Sequence, residues 1–250
     1  MIKFFRKIRQ SLLAQGKTGK YLKYAFGEII LVVIGILIAL QINNWNETRK
    51  ANATLQKAIQ SVYSDIVADS LINYELVPLV EQRYIKINEL IERSYATETN
   101  LDTLVHIMQE EFPVRWFPPP IYNTNTFSNL KSTGTFDVLP SDIKEALSGY
   151  YTTLEANQDI VEKVLDQYRN HLDDFVKYHN IIGRLYDENY KNSYMYNQTW
   201  SEVDPKGFSA RVAVLLASYR VLYDQAKTEL DSNQQNIRKI LPLLQPYLDQ

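Results

Sequence analysis

Cysteine is absent from the 250-residue sequence, and histidine occurs only three times. The absence of cysteine excludes disulfide frameworks, thiolate zinc sites and cysteine nucleophiles. The motifs H-E-x-x-H, G-x-S-x-G, G-x-G-x-x-G and the P-loop are also missing. With 8 glycines and 9 prolines, the chain is neither collagen-like nor of low complexity. We therefore expect no catalytic residue, cofactor or metal site, and we expect that the protein is not an enzyme.

Acidic residues are absent from the first 27 positions, which hold seven lysines and arginines. The remainder holds 20 basic and 29 acidic residues, a net charge of −9 that the overall value of −2 conceals. An acidic surface repels phosphate groups, so we expect no nucleic-acid partner.

Two short patterns resemble known sites but do not support one. Ser141 and Lys144 match S-x-x-K, yet no S-D-N string occurs, and a serine after a proline is better explained as a helix N-cap. His171 and His179 would lie on one helix, about 80° and ~12 Å apart, too far to share an ion.

An uninterrupted apolar run covers residues 29–40. Alone it is too short for ~30 Å of hydrocarbon, but residues 21–42 contain only Lys23, Glu28 and Gln41 as strongly polar members. Because the basic cluster precedes the run, the positive-inside rule predicts a cytoplasmic N-terminus. The domain prediction is therefore a cytoplasmic basic amphipathic segment (1–20), a transmembrane helix (21–44) and an extracytoplasmic helical domain (45–250).

Two alternatives to a membrane anchor are a cleaved signal peptide and a buried helix of a soluble protein. The long basic region and the lack of a small-residue cleavage site argue against the first alternative, and the one-sided charge argues against the second. A carboxylate within a span is a candidate functional group, although Glu28 is also close enough to the inner boundary to reach water there.

The opening of the chain, MIKFFRKIRQSLLAQGKTGKYLKYAFGEIILVVIGILIALQINNWNE, resembles a large uncharacterised family of membrane-anchored proteins from Bacteroidota bacteria. The resemblance is close over residues 1–48 and loose around residues 127–151. It implies a single-pass protein of the bacterial inner membrane with a periplasmic part, and it implies no activity. It also draws attention to Glu28 and to the polar exit at residues 41–47.

Apolar residues recur at steps of three and four through the rest of the chain, whereas no stretch alternates as a strand would. Stripes at residues 55–66, 76–91, 141–186 and 208–240 predict long helices, with a break or kink near Pro78. A short third piece at 101–108 and a short helix at 125–132, ended by Gly134, complete the pattern. The predicted fold is all-α, a membrane helix followed by an elongated antiparallel bundle of three to four long helices.

Two segments outside the stripes are candidates for recognition. Residues 111–124 combine four prolines with Trp116 and other aromatics, and they either cap the bundle or bind a partner. Residues 187–207 are rich in tyrosine and asparagine, which suit a partner surface and a half-buried seam alike. The candidate interaction residues are Glu28, Trp116, Tyr190, Tyr194, Tyr196 and Trp200.

These features favour a membrane-anchored envelope protein whose helical ectodomain mediates protein–protein interaction or scaffolding. Its expected partners are the lipid bilayer and either an envelope protein or a second copy of itself. The alternative is a sensory or small-ligand-binding ectodomain that acts through a partner. An enzyme would require titrating groups paired between helices.

Overall fold

The computed structural model describes residues 18–185 and 189–248, and every regular element in these ranges is helical, which confirms the predicted all-α class. The predicted amphipathic segment at 1–20 lies almost wholly outside the described residues, as does Tyr186. The chain divides into two compact units, Met1–Lys57 and Ala58–Gln250. The α-helices are α1 (Thr18–Ser94), α2 (Leu101–His106), α3 (Asn125–Ser132), α4 (Ser141–Val176), α5 (Tyr194–Trp200) and α6 (Pro205–Leu244). A π-helical turn (Ile107–Glu111) follows α2, and short 3-10 turns occupy Thr135–Val138, Gly183–Leu185, Tyr190–Asn192 and Gln245–Tyr247.

Helix α1 runs without a break through Pro78, so the predicted interruption is wrong. A proline inside a helix removes one backbone donor and crowds the preceding turn, a cost of about 3 kcal/mol. Asn73 and Val80, on either side of Pro78, are both buried. Tertiary packing of the same helix face on both sides of the proline therefore offsets the local penalty.

Helix α4 is ten residues shorter than the 141–186 stripe predicts. It begins at Ser141, but Pro140 occupies the N-cap position and no side chain caps the helix, so the predicted capping role of Ser141 is wrong. Beyond Val176 the chain turns, and His179 stays buried in the loop that follows. The apolar spacing continues past the helix because the loop also packs inward.

The other helix ends follow local sequence signals. Gly134 adopts φ 72°, the left-handed conformation that glycine tolerates, directly after α3, as predicted. Asp204 accepts hydrogen bonds from the backbone N–H groups of Lys206 (3.3 Å) and Gly207 (2.8 Å), and Pro205 opens α6. These caps fix where α6 begins, four residues before the predicted start.

The core of the unit Ala58–Gln250 lies between α4, α6 and the last part of α1. The rings of Phe175 and Phe208 lie 5.8 Å apart, and those of Tyr168 and Tyr219 lie 4.9 Å apart. Because the earlier residue of α4 pairs with the later residue of α6, these two helices run in opposite directions.

The unit Met1–Lys57 carries the apolar run within α1. The large side chains of residues 29–40 are 46–60% exposed, and α1 is long and apolar enough to cross a membrane. The polar exit pairs along the helix, where the Asn43 amide donates to the Glu47 carboxylate at 3.0 Å.

Candidate functional site

Residues 112–124, here called the connecting segment, form no helix and run through the core between α1, α4 and α6. Phe112, Val114 and Tyr122 are buried. Backbone groups inside a core need hydrogen-bond partners, because an unpaired group costs about 1–3 kcal/mol. The composition of the segment and of its neighbours meets this requirement in two ways.

Tyrosine hydroxyls supply the first set of partners. Tyr168 of α4 donates to the carbonyl of Val114, and Tyr219 of α6 donates to the carbonyl of Arg115, each at 2.9 Å. One turn along α6, the Tyr223 hydroxyl accepts the N–H of Phe117 at 3.2 Å. The high tyrosine content of the chain thus has a structural role, because a phenol brings a polar tip into an apolar core.

Prolines reduce the number of donors that need partners. Pro113 and Pro118–Pro120 have no backbone N–H, so four positions of the connecting segment make no demand for an acceptor. The carbonyl of Pro120 accepts from the Gln158 amide at 3.5 Å. The segment is therefore a built part of the core rather than a free ligand-like tail.

At the far end of the connecting segment lies a buried polar cluster, which consists of Asp69, Asn73, Tyr122, Asn123 and Tyr150. The Asp69 carboxylate accepts from the backbone N–H of Asn123 (2.9 Å), from its amide (2.8 Å) and from the Tyr150 hydroxyl (2.8 Å). Burial raises the pKa of Asp69, and these hydrogen bonds counteract part of that rise. The cluster joins α1 to α4 and anchors the segment.

Tyr122 links the polar cluster to α6. Its hydroxyl donates to the Asn73 side-chain oxygen at 2.6 Å. Burial raises the pKa of Tyr122, and the nearby carboxylates of Glu229 and Asp69 raise it further. The Asn233 amide lies beside the same hydroxyl without the geometry of a formed hydrogen bond.

Several buried polar atoms beside Tyr122 have no hydrogen-bond partner within the described residues. They are the Asn73 amide nitrogen, one carboxylate oxygen of Glu229 (Oε1), and both side-chain polar atoms of Asn233. Native proteins contain few such atoms, and each one calls for an explanation such as bound water or a ligand. We therefore take this group as the candidate functional site.

Glu229 is the most unusual member, because its side chain is 1% exposed and no basic side chain among residues 18–185 and 189–248 pairs with it. Burial alone raises its pKa to about 7. It borders an apolar cavity of ≈ 30 Å³ behind Pro118–Pro120, and the other walls include Leu76, Val161 and Leu222. This volume holds one or two water molecules.

Three of the sequence-predicted residues come together elsewhere, around the buried His179. The Trp200 ring lies 5.0 Å from the His179 ring, and its indole N–H donates to the carbonyl of Asn180 at 3.2 Å. Tyr196 is buried and lies 6.1 Å from Trp200, and Tyr190 lies 5.1 Å from Tyr196. These rings form a packed seam, the structural alternative for this loop.

His179 itself holds the loop in place. Its Nδ1 lies 3.2 Å from the carbonyl of Thr199, and its Nε2 lies 3.4 Å from the Arg211 guanidinium. Burial lowers the pKa of His179, and the positive charge of Arg211 lowers it further. A neutral ring that donates through Nδ1 and accepts through Nε2 satisfies both contacts.

The remaining sequence-predicted residues lie apart from one another. Tyr194 is 77% exposed at the start of α5, next to the equally prominent Met195 at 70%. Trp116 packs edge-on against Tyr168 at 5.8 Å. Glu28 lies half-exposed on α1 in the unit Met1–Lys57.

Sequence reasoning missed Asp69, Asn73, Glu229 and Asn233, although their spacing carries a signal. Asp69 and Asn73 continue the stripe that ends at Ile66, at steps of three and four. Glu229 and Asn233 continue the stripe of α6 after Ala226 in the same way. Polar residues at apolar positions of a stripe are thus the pattern that identifies the site.

Comparisons with known proteins identify a family but no function. Neither the curated proteins nor the solved structures contain a match. The model of a family of unknown function, DUF6090, matches residues 28–180, which is more than half of the chain. The matched stretch includes Asp69, Asn73 and Tyr122 and ends before α6, the helix that carries Glu229. The chain therefore belongs to the DUF6090 family, whose function is unknown.

Proposed function

We propose that this protein is a membrane-anchored protein of the bacterial envelope whose antiparallel helical bundle contacts another protein outside the cytoplasm. The observation that carries the proposal is the run of exposed apolar side chains at residues 29–40, none of which has a protein environment to bury it. Transfer of such a stretch into hydrocarbon is strongly favourable, whereas its exposure to water is not.

The orientation follows from charge. Seven lysines and arginines and no acidic residue precede Glu28, and basic residues are retained on the cytoplasmic side of a span. The polar exit that begins at Gln41 and includes the Asn43–Glu47 pair marks the opposite boundary.

This orientation predicts the behaviour of a C-terminal reporter. A periplasm-active reporter, such as alkaline phosphatase fused after Gln250, should be active in cells, and a cytoplasm-active reporter at the same position should be silent. Moving the same reporter to a position before Lys23 serves as the control and should reverse both results. Activity of only the cytoplasmic reporter after Gln250 would contradict the topology.

The proposed contact surface is the start of α5, where Tyr194 and Met195 present adjacent apolar side chains to solvent. Aromatic residues and methionine are enriched at protein interfaces. The seam beneath this surface, built on Tyr196 and Trp200, holds it in a fixed position. A rigid, exposed apolar tip costs little entropy to bury on binding.

Replacement of Tyr194 and Met195 together by serine should abolish recovery of a stoichiometric partner from native membranes in mild detergent. Two truncated anchor side chains remove about 2–4 kcal/mol of binding free energy, a 30- to 1000-fold loss of affinity. Tyr74→Ser is the matched control, because Tyr74 is also highly exposed but lies on α1. Equal recovery with all three proteins, measured by mass spectrometry, would exclude this surface.

A further inference from the structure

The atoms around Glu229 raise a question that the proposed interaction role does not answer. The cavity beside it is lined by apolar side chains, and the carboxylate has neither a cation nor a hydrogen-bond donor at Oε1 within the described residues. A buried carboxylate without a partner is costly, because desolvation is not offset by any attraction. Burial of this kind persists where the group takes up a proton or a ligand.

The two unpartnered acceptors at this place suit a cation that donates more than one hydrogen bond. Glu229 and Asn233 are four residues apart on α6 and therefore share one face of the helix, one turn apart. Glu229 Oε1 and Asn233 Oδ1 both lack donors. The Tyr223 hydroxyl, which lines the same cavity, adds a third oxygen.

The size and lining of the cavity restrict the cation further. Its volume of ≈ 30 Å³ admits a group no wider than a water molecule. Its walls of Leu76, Val80 and Leu222 favour methylene groups over a hydrated metal ion. A primary ammonium on an unbranched alkyl chain is the narrowest cation with an apolar body and three donors.

We propose that the Glu229 cavity binds the head of a linear primary alkylammonium, with Glu229 as its counter-ion and Asn233 as a second acceptor. The site goes beyond the proposed contact at Tyr194, and neither depends on the other. The apolar walls and the prolines of the connecting segment cover the first carbons of the chain.

The test compares two isomeric cations of equal charge, n-propylammonium and trimethylammonium, on the full-length protein in nonionic detergent at pH 8. The linear cation at about twenty times its dissociation constant should raise the melting temperature by about 3–7 °C above the value in equimolar sodium chloride. Trimethylammonium is too wide at the nitrogen and should act like sodium chloride. 1-Propanol, which lacks the charge, should also have no effect.

Two variants complete the test. Glu229→Gln should lose the n-propylammonium shift, whereas Asp231→Asn, an exposed acid on the same helix, should keep it. Calorimetric titration of n-propylammonium into the wild type should give heat that is absent from Glu229→Gln, which tests binding without reference to melting. Equal shifts with both isomers, the same shift in Glu229→Gln, or no shift in the wild type would overturn the proposal and leave the cavity to water.

Discussion

Replacement of Asp69 by alanine should lower the melting temperature of the full-length protein by about 6–12 °C, equivalent to about 3 kcal/mol of unfolding free energy. The change removes the acceptor of three hydrogen bonds, from the backbone and amide of Asn123 and from the Tyr150 hydroxyl. Those donors remain buried after the substitution. The connecting segment would also lose its attachment to α1.

The measurement is thermal unfolding followed by far-ultraviolet circular dichroism, with two comparison variants. Asp65→Ala, one turn earlier on α1 and only half-buried, should change stability by no more than about 0.5 kcal/mol. Asp69→Asn should cost about 1 kcal/mol, because its oxygen still serves Asn123 and the Tyr150 hydroxyl can rotate to accept. If Asp69→Ala melts with Asp65→Ala, the cluster does not stabilise the fold.

Substitution of Glu229 by glutamine should remove most of a stability loss that the wild type suffers between pH 5 and pH 8. The native-state pKa of Glu229 is about 7, above its ordinary value of 4.5. Between these values the unfolded chain releases the proton and the native protein retains it, so stability falls as the pH rises and levels off above pH 7. The shift corresponds to about 3 kcal/mol.

The informative quantity is the difference between variant and wild type at each pH. At pH 5 the two proteins should have similar stabilities, and by pH 8 the glutamine variant should be relatively more stable by about 2–3 kcal/mol. Subtraction cancels the contributions of other groups, including His179, whose lowered pKa makes stability fall as the pH drops below its ordinary value of 6.5. Asp231→Asn should give a curve parallel to the wild type. Parallel curves for Glu229→Gln as well would mean that Glu229 ionises normally.

The sequence by itself determined the helical class and most of the helices of this protein, because a helix leaves its period in the order of apolar residues. The stripe of α6, the short helix α3 and the glycine that ends it were all predictable, since spacing and capping act within a few residues. The apolar run at residues 29–40 was equally plain, because it depends on composition alone.

Tertiary structure decided the rest. Pro78 lies inside α1, and α4 ends at Val176, because packing partners outweigh local signals at both places. The sequence places Asp69 on the core face of α1 and Glu229 on that of α6, but only the fold brings the two helices to opposite sides of Tyr122. Hydrogen bonding and desolvation depend on distances in space, and residues 160 positions apart acquire those distances only when the chain folds.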